Sequence, residues 1–232
     1  MSEADDRGIT VTEIAAMGQP IDVSPETTAA FVGRALRGPL NTPVLVKSFG
    51  EFRRRFGEVW TRSSLGPSVI QFFEHGGLRL YIVRVANNAR GAMICLPASG
   101  SALVLRAVEP GSTELIRAAV DYDGIEDDEE LFNLTLQRVN PTNGLVEDQE
   151  LFSRLSYVED AEKFVGDALL TSSLARAEHP YPSHRPESTM DRNGGQKSAY
   201  IEPVQPGTDG TELSDYDLIG SRPQRTGLFA LE

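Results

Sequence analysis

The sequence predicts an α+β protein: a small α/β unit, an inserted β-rich module of sandwich or barrel-like form, and an extended N-terminal arm. Three observations lead there. Two glycine-ended helical stretches with aromatic faces lie between short aliphatic runs in residues 28–86. From about Ala92 the pattern turns to successive strand-like segments joined by acidic or turn-forming links. Ahead of both, a β-branched stretch stands with nothing nearby in sequence to pair with.

Residues 1–25 read as an arm. Ile9 and Val11 alternate with Thr10 and Thr12 before Glu13 and Ile14, and Gly18 and Pro20 then cut the pattern off. A lone strand is marginal in water, so residues 9–14 are expected to add to a sheet of this chain or of a neighbour.

Residues 26–90 are the expected α/β core unit. Apolar runs at 29–32 and 44–46, bounded by Gly38-Pro39 and Thr42-Pro43, read as strands. Ser48 with Glu51 three residues on is a capping box for a helix bearing Phe49, Phe52 and Phe56 and stopped by Gly57. A second helix over 64–75 carries Leu65, Val69 and Phe72 on one face, with Phe73 alongside, and ends at Gly76-Gly77. Leu78, Leu80, Ile82 and Arg84 then alternate with Arg79, Tyr81, Val83 and Val85 in a buried strand.

Residues 91–200 are the expected inserted module. Strands are predicted over 103–109, 115–122, 131–139 and 145–155, the last two joined by the turn-forming Asn140-Pro-Thr-Asn-Gly144. Val158, Ala161, Val165 and Leu169 mark a helix, 174–177 a short strand, and the Pro- and Gly-rich 178–198 a surface loop or disordered excursion. Residues 201–232 then return toward the core unit, with a turn at 207–210, a short helix at 214–220 and an unfinished apolar segment from Thr226.

With 232 residues, 40% hydrophobic and 24% charged, the chain can bury a real core. A net charge of -12 argues against a dedicated nucleic-acid binder, which needs a basic face for phosphates. No apolar run approaches the ~20 residues that cross a bilayer. The acidic residues 1–7 lack signal-peptide order, so cytosolic synthesis is expected. Cys95, the sole cysteine, excludes an intrachain disulfide and a multi-cysteine zinc site. Charge is also unevenly spread: residues 26–90 hold ten bases against four acids, so this +6 block sits in a remainder of -18. Such a separation suits attraction between copies, with Arg53, Arg54 and Arg55 facing Asp127, Asp128, Glu129 and Glu130 of a neighbour, while chance clustering on a solvated face is the plain alternative.

Catalytic patterns are incomplete. His75-Gly76-Gly77 is like an esterase oxyanion loop, but no G-x-S-x-G elbow accompanies it, and a glycine-capped helix end explains it. The seven carboxylates of 121–130 offer oxygen ligands for calcium, yet Gly124 falls too early for an EF-hand, which leaves a solvated acidic loop. His179 and His184 lack a third ligand, Cys95 sits in an apolar run without a histidine nearby, and no phosphate-binding glycine motif occurs. No catalytic residue, metal or cofactor is therefore expected, and a hydrolase using His75 or the 121–130 carboxylates is the reading that these gaps disfavour.

Several strings together resemble the sheath proteins of contractile phage tails and related injection systems. These are residues 8–14; Thr28 to Phe52, which reads TAAFVGRALRGPLNTPVLVKSFGEF; 69–85, which reads VIQFFEHGGLRLYIVRV; 132–136; 170–174; 207–210; and the closing RTGLFALE. Arg7 stands where a proline is common in the family. The resemblance implies a non-catalytic subunit stacked in helical rings around an inner tail tube protein, partnered by other sheath subunits and by baseplate and terminator proteins. It implies terminal arms that knit neighbours together, and a place in a virion tail or injection particle assembled in the bacterial cytoplasm. The alternative it leaves open is a sheath-like adaptor or baseplate-type module that does not itself contract. Family members continue past the position of Glu232 into a further domain, so a fragment, a split half or a shortened relative is expected.

Overall fold

The computed structural model describes residues 28–126, 130–189 and 200–232, so the arm at residues 9–14 lies outside the described residues. The described chain is mixed α+β, as expected, with three three-stranded sheets and short helices. In chain order the elements are β1 (Thr28–Gly33), β2 (Val44–Val46), α1 (Phe49–Phe56), α2 (Leu65–Glu74), β3 (Arg79–Arg84), β4 (Met93–Ala98), β5 (Ser101–Ala107), β6 (Leu115–Asp121), β7 (Phe132–Val139), β8 (Val146–Leu155), α3 (Val165–Ala168), β9 (Ala175–Glu178) and α4 (Asp215–Ile219). Single 3-10 turns follow at Leu169–Thr171 and Gly227–Leu231.

The first sheet has the order β1-β3-β2, with β3 parallel to β1 and antiparallel to β2. Central β3 buries Leu80 and Ile82 against Phe52, Phe56, Leu65 and Val69 of α1 and α2. The i, i+3, i+7 spacing of phenylalanines in α1 makes this packing continuous: Phe49 and Phe52 rings lie 6.0 Å apart, Phe52 and Phe56 5.4 Å. Burying Phe52 and Phe56, the two that are fully covered, stabilises by about 1.5–3 kcal/mol each. Ser48 caps α1 by accepting from the Glu51 N–H at 3.2 Å. The reciprocal half of the expected capping box is displaced by one residue, since Glu51 accepts from the Lys47 N–H at 2.9 Å. Gly77 closes α2 against Phe72, where an added Cβ would stand 2.4 Å from the ring.

The other two sheets, ordered β4-β5-β9 and β6-β7-β8, are antiparallel throughout. They share one core: Ile94, Leu96, Leu103 and Leu105 from the first sheet, Ile116, Val120, Phe132 and Leu134 from the second, closed by Val165 and Leu169. The result is a small sandwich. The turn at Asn140 joins β7 to β8, with the Asn140 N–H bonded to Leu145 O and the Gly144 N–H to Asn140 O.

Three expectations for this region change. The apolar run at 93–96 is part of a strand, β4; Pro97 interrupts the strand pattern in sequence and is tolerated because β4 lies at the edge of its sheet. The helix expected from Val158 shrinks to α3, since Ser156 N–H binds Lys163 O and Val165 N–H binds Ser156 O, closing residues 157–164 into a loop. The described part of the expected loop excursion is tied down: Glu187 N–H binds Pro97 O at 2.7 Å and Thr189 N–H binds Val120 O at 2.8 Å.

Residues 201–211 form a clasp across both sheets. Ile201 bridges β6 at Ala118, Gln205 bridges β4 at Met93, and Thr208 and Thr211 bridge Arg90 and Asn87 in the link from the first sheet. Gly210 permits this closeness: its φ is +73° and an added Cβ would stand 2.0 Å from Asn87 O.

Candidate functional site: an open edge and a buried charged junction

Each three-stranded sheet has two outer strands, and five of the six are covered, charged or very short. β4 and β6 meet the clasp. β8 carries Glu147, Asp148 and Glu150, β9 carries Arg176 and Glu178, and β2 has three residues behind Pro43. β1 differs. Its sequence, TAAFVG, holds no charge, and among the described residues its outer side has no ladder partner. The Gly33 carbonyl accepts from Val85 N–H and so faces β3. By the two-residue period, Ala29 and Phe31 face β3 as well, which turns the N–H and C=O of Ala30 and Val32 to the open side.

That edge borders a groove of about 400 Å³. Ala30, Phe31 and Val32 line it from β1, Ser64, Leu65 and Ser68 from the start of α2, and Leu218 and Leu228 from the C-terminal stretch. Leu228 is 51% exposed.

A buried charged junction joins the first sheet to the sandwich. Arg84, 1% exposed at the end of β3, donates to Ala35 O at 3.1 Å, Gly38 O at 2.6 Å and Pro110 O at 2.6 Å. Burial lowers its pKa to about 10, against the pull of Glu109, so it stays charged at neutral pH. Glu109 accepts from the Gly38 N–H at 2.9 Å and lies 3.7 Å from Arg138, which donates to Glu114 at 2.6 Å. Burial raises the Glu114 carboxyl above its ordinary range despite Arg138. Arg37 pairs with Glu147 at the rim, and Asp209 of the clasp accepts from the Ser112 N–H and hydroxyl at 2.8 and 2.7 Å. These bonds hold the loop 35–38 against the sandwich through charges and backbone groups. The sequence reading missed them, although Arg84 shares the parity of the buried Leu80 and Ile82, which is the signal that marks it.

The residues singled out from sequence fall apart into separate places. Arg53, Arg54 and Arg55 are exposed on the outer face of α1, where Arg53 pairs with Glu58 at 3.2 Å. Arg54 and Arg55 have no carboxylate partner among the described residues. Asp127, Asp128 and Glu129 lie outside the described residues, and Glu130 is exposed, accepting a hydrogen bond from the Tyr157 hydroxyl. His75 is exposed at the end of α2 with Nδ1 2.7 Å from Gln71 O. His179 stands edge-on to Tyr181, and no cluster of metal-ligating side chains forms among the described residues. No described helix is long and apolar enough to cross a membrane.

No family model matches the chain, and no curated protein does. Among solved structures, the chain is similar to the sheath tail protein Lin1278 from Listeria innocua, with a TM-score of 0.41 and 12% identity over 79% of this chain and 35% of that one. It is similar also to the sheath tail protein DSY3957 from Desulfitobacterium hafniense, with a TM-score of 0.43 and 11% identity over 89% of this chain and 40% of that one. The chain thus spans 35% and 40% of the lengths of these two proteins.

Proposed function

We propose that this chain is a structural subunit of a contractile tail sheath that binds copies of itself by strand addition and stacks around an inner tube. The observation that supports this is the uncharged edge of β1, which has no ladder partner among the described residues, whereas the other described outer strands are covered, charged or very short. An unprotected edge invites a strand, and residues 9–14 are a strand pattern without a local partner. In this reading residues 1–25 are the arm, 26–90 the core unit, 91–200 the inserted module and 201–232 the return segment. Arg53, Arg54 and Arg55 face the acidic stretch 127–130 of a neighbour and favour the stacked arrangement. No catalytic step is assigned.

The test compares the full chain with one lacking residues 1–20 by sedimentation and electron microscopy. Loss of rings or helical stacks is expected on deletion. Unchanged assembly would sink the proposal, and closed rings of fixed size that never stack would favour a sheath-like adaptor.

A further inference from the structure

The charged junction is unevenly supplied with donors. One guanidinium, that of Arg138, serves three carboxylates: Glu114 at 2.6 Å, Glu109 at 3.7 Å and Asp148 at 3.9 Å. Glu114 is 2% exposed, and Arg138 binds its Oε1, while Oε2 is buried without a hydrogen-bond partner among the described residues. An ionised oxygen left in that state costs far more than a protonated one. Next along the chain, Thr113 lines a cleft of about 420 Å³ between the end of α1 and the β7–β8 turn, with Leu36, Arg37 and Asn140 among its other walls. The Thr113 hydroxyl donates to Leu36 O at 3.3 Å, and Arg37 pairs with Glu147. The bonds that border the cleft are therefore also bonds that hold loop 35–38 to the sandwich.

We infer that Glu114 is a proton-operated latch between the first sheet and the sandwich: with Oε2 protonated, loop 35–38 is held down, and when that proton passes to water the loop lifts and lets the cleft hydrate the carboxylate. The charges that face Glu114 come from every side of the junction. Arg138 stands on β7, Glu109 in the same loop as Glu114, Arg37 after β1 and Arg84 at the end of β3. Behind these arginines, Asp148 and Glu147 of β8 face Arg138 and Arg37, and Asp209 of the clasp faces Arg84. Arg138 is divided among three acids, so it cannot supply Oε2 without leaving Glu109 or Asp148. Water is the remaining donor, and its way in from the cleft lies across the Thr113–Leu36 and Glu109–Gly38 bonds. Burial raises the folded pKa of Glu114, so the closed form is favoured at lower pH and lost as pH rises through the raised value. The latch does not depend on strand addition.

The experiment follows hydrogen exchange of the full chain by mass spectrometry from mildly acid to neutral pH, each rate divided by that of the unstructured peptide at the same pH. Protection across residues 35–41 is expected to fall by about tenfold per pH unit above the Glu114 titration, while protection of β3 stays level. In Glu114→Gln, which cannot ionise, protection across 35–41 should stay level too. A second measurement needs no variant: the carboxyl carbon shift of Glu114 in the wild-type chain should titrate at the pH where that protection begins to fall. Protection across 35–41 that ignores pH, or that falls equally in Glu114→Gln, would overturn the latch. So would an equal fall in β3, which would mean global unfolding, or a carboxyl titration more than about one pH unit from the onset of the fall.

Discussion

Arg84 and Glu109 hold the two backbone polar groups of one residue between them: the guanidinium donates to the Gly38 carbonyl at 2.6 Å, and the carboxylate accepts from the Gly38 N–H at 2.9 Å. One partner comes from the first sheet and the other from the loop after β5, so Gly38 is the point at which the two cores are pinned. Charge does here what apolar burial does elsewhere in the fold.

Removing the guanidinium strands the carbonyls of Ala35, Gly38 and Pro110 in a buried site. Arg84→Met is expected to cost about 3–5 kcal/mol in urea unfolding, because a buried charge network loses one member while the others stay. A cost below about 1 kcal/mol would show that the junction is dispensable.

Glu114 and Glu150 should tilt the pH profile of stability in opposite directions. Burial raises the folded pKa of Glu114, so its contribution is present below the ordinary carboxylate value of 4.5 and is lost as pH rises through the raised value. For Glu150, burial pushes upward but the Ser172 hydroxyl and Ser173 N–H and hydroxyl outweigh it, so the folded pKa lies below 4.5. Its contribution is present above 4.5 and is lost as pH falls through the lowered value. Unfolding midpoints between acid and neutral pH should therefore fall less steeply with rising pH in Glu114→Gln, and less steeply with falling pH in Glu150→Gln. Opposite slopes would contradict the assignment.

Gly210 is the narrowest point of the clasp. Gly210→Ala meets both the positive φ and the Asn87 carbonyl, so a loss of at least about 2 kcal/mol is expected, together with faster protease cleavage within 201–211. Cleavage at the wild-type rate would mean that the clasp tolerates displacement.

Phe56 is 0% exposed and stacked on Phe52, whereas Leu151 on the outer face of β8 is 69% exposed. Phe56→Ala is expected to destabilise by about 3–5 kcal/mol and Leu151→Ala by less than about 0.5 kcal/mol in chemical denaturation. Similar costs for the two would place the core elsewhere.

Arg54 and Arg55 can be reversed in sign without touching the buried face of α1. The double change Arg54→Glu, Arg55→Glu is expected to leave the melting temperature within a few degrees, as exposed charges add only about 0.2–1 kcal/mol per pair. Light scattering should show assembly shifted to higher protein concentration, with its salt dependence reduced. An unshifted assembly curve would remove these arginines from the proposed interface.

Local signals in the sequence were legible and distant ones were not. Ser48 and Gly57 bracket α1 as expected, Gly76-Gly77 ends α2, and the Asn140 turn joins β7 to β8, each being set within a few residues. The parallel pairing of β1 with β3 depends on partners some fifty residues apart, such as Thr28 with Arg79, and leaves no mark in either segment alone. The junction escaped because Arg84 binds backbone carbonyls, which carry no residue identity, up to 49 residues away. Val158 and Ala161 fitted a helical spacing, yet the Ser156 hydrogen bonds across the loop win there. The arginine and acidic clusters were visible as composition, but composition holds no information on whether they meet.

The clasp also sets an order of events during synthesis. Asn87 and Thr211, joined by a bridge and by a side-chain hydrogen bond, are 124 residues apart, and every strand of the sandwich leaves the ribosome between them. A nascent chain that has reached only about residue 200 has its strands ready to pair while the outer sides of β4 and β6 still await Gln205 and Ile201. Those contacts of large sequence separation close last and slowly. In a cell making many copies at once, the late-arriving segment decides whether the two edges are sealed by their own chain or by a neighbour's.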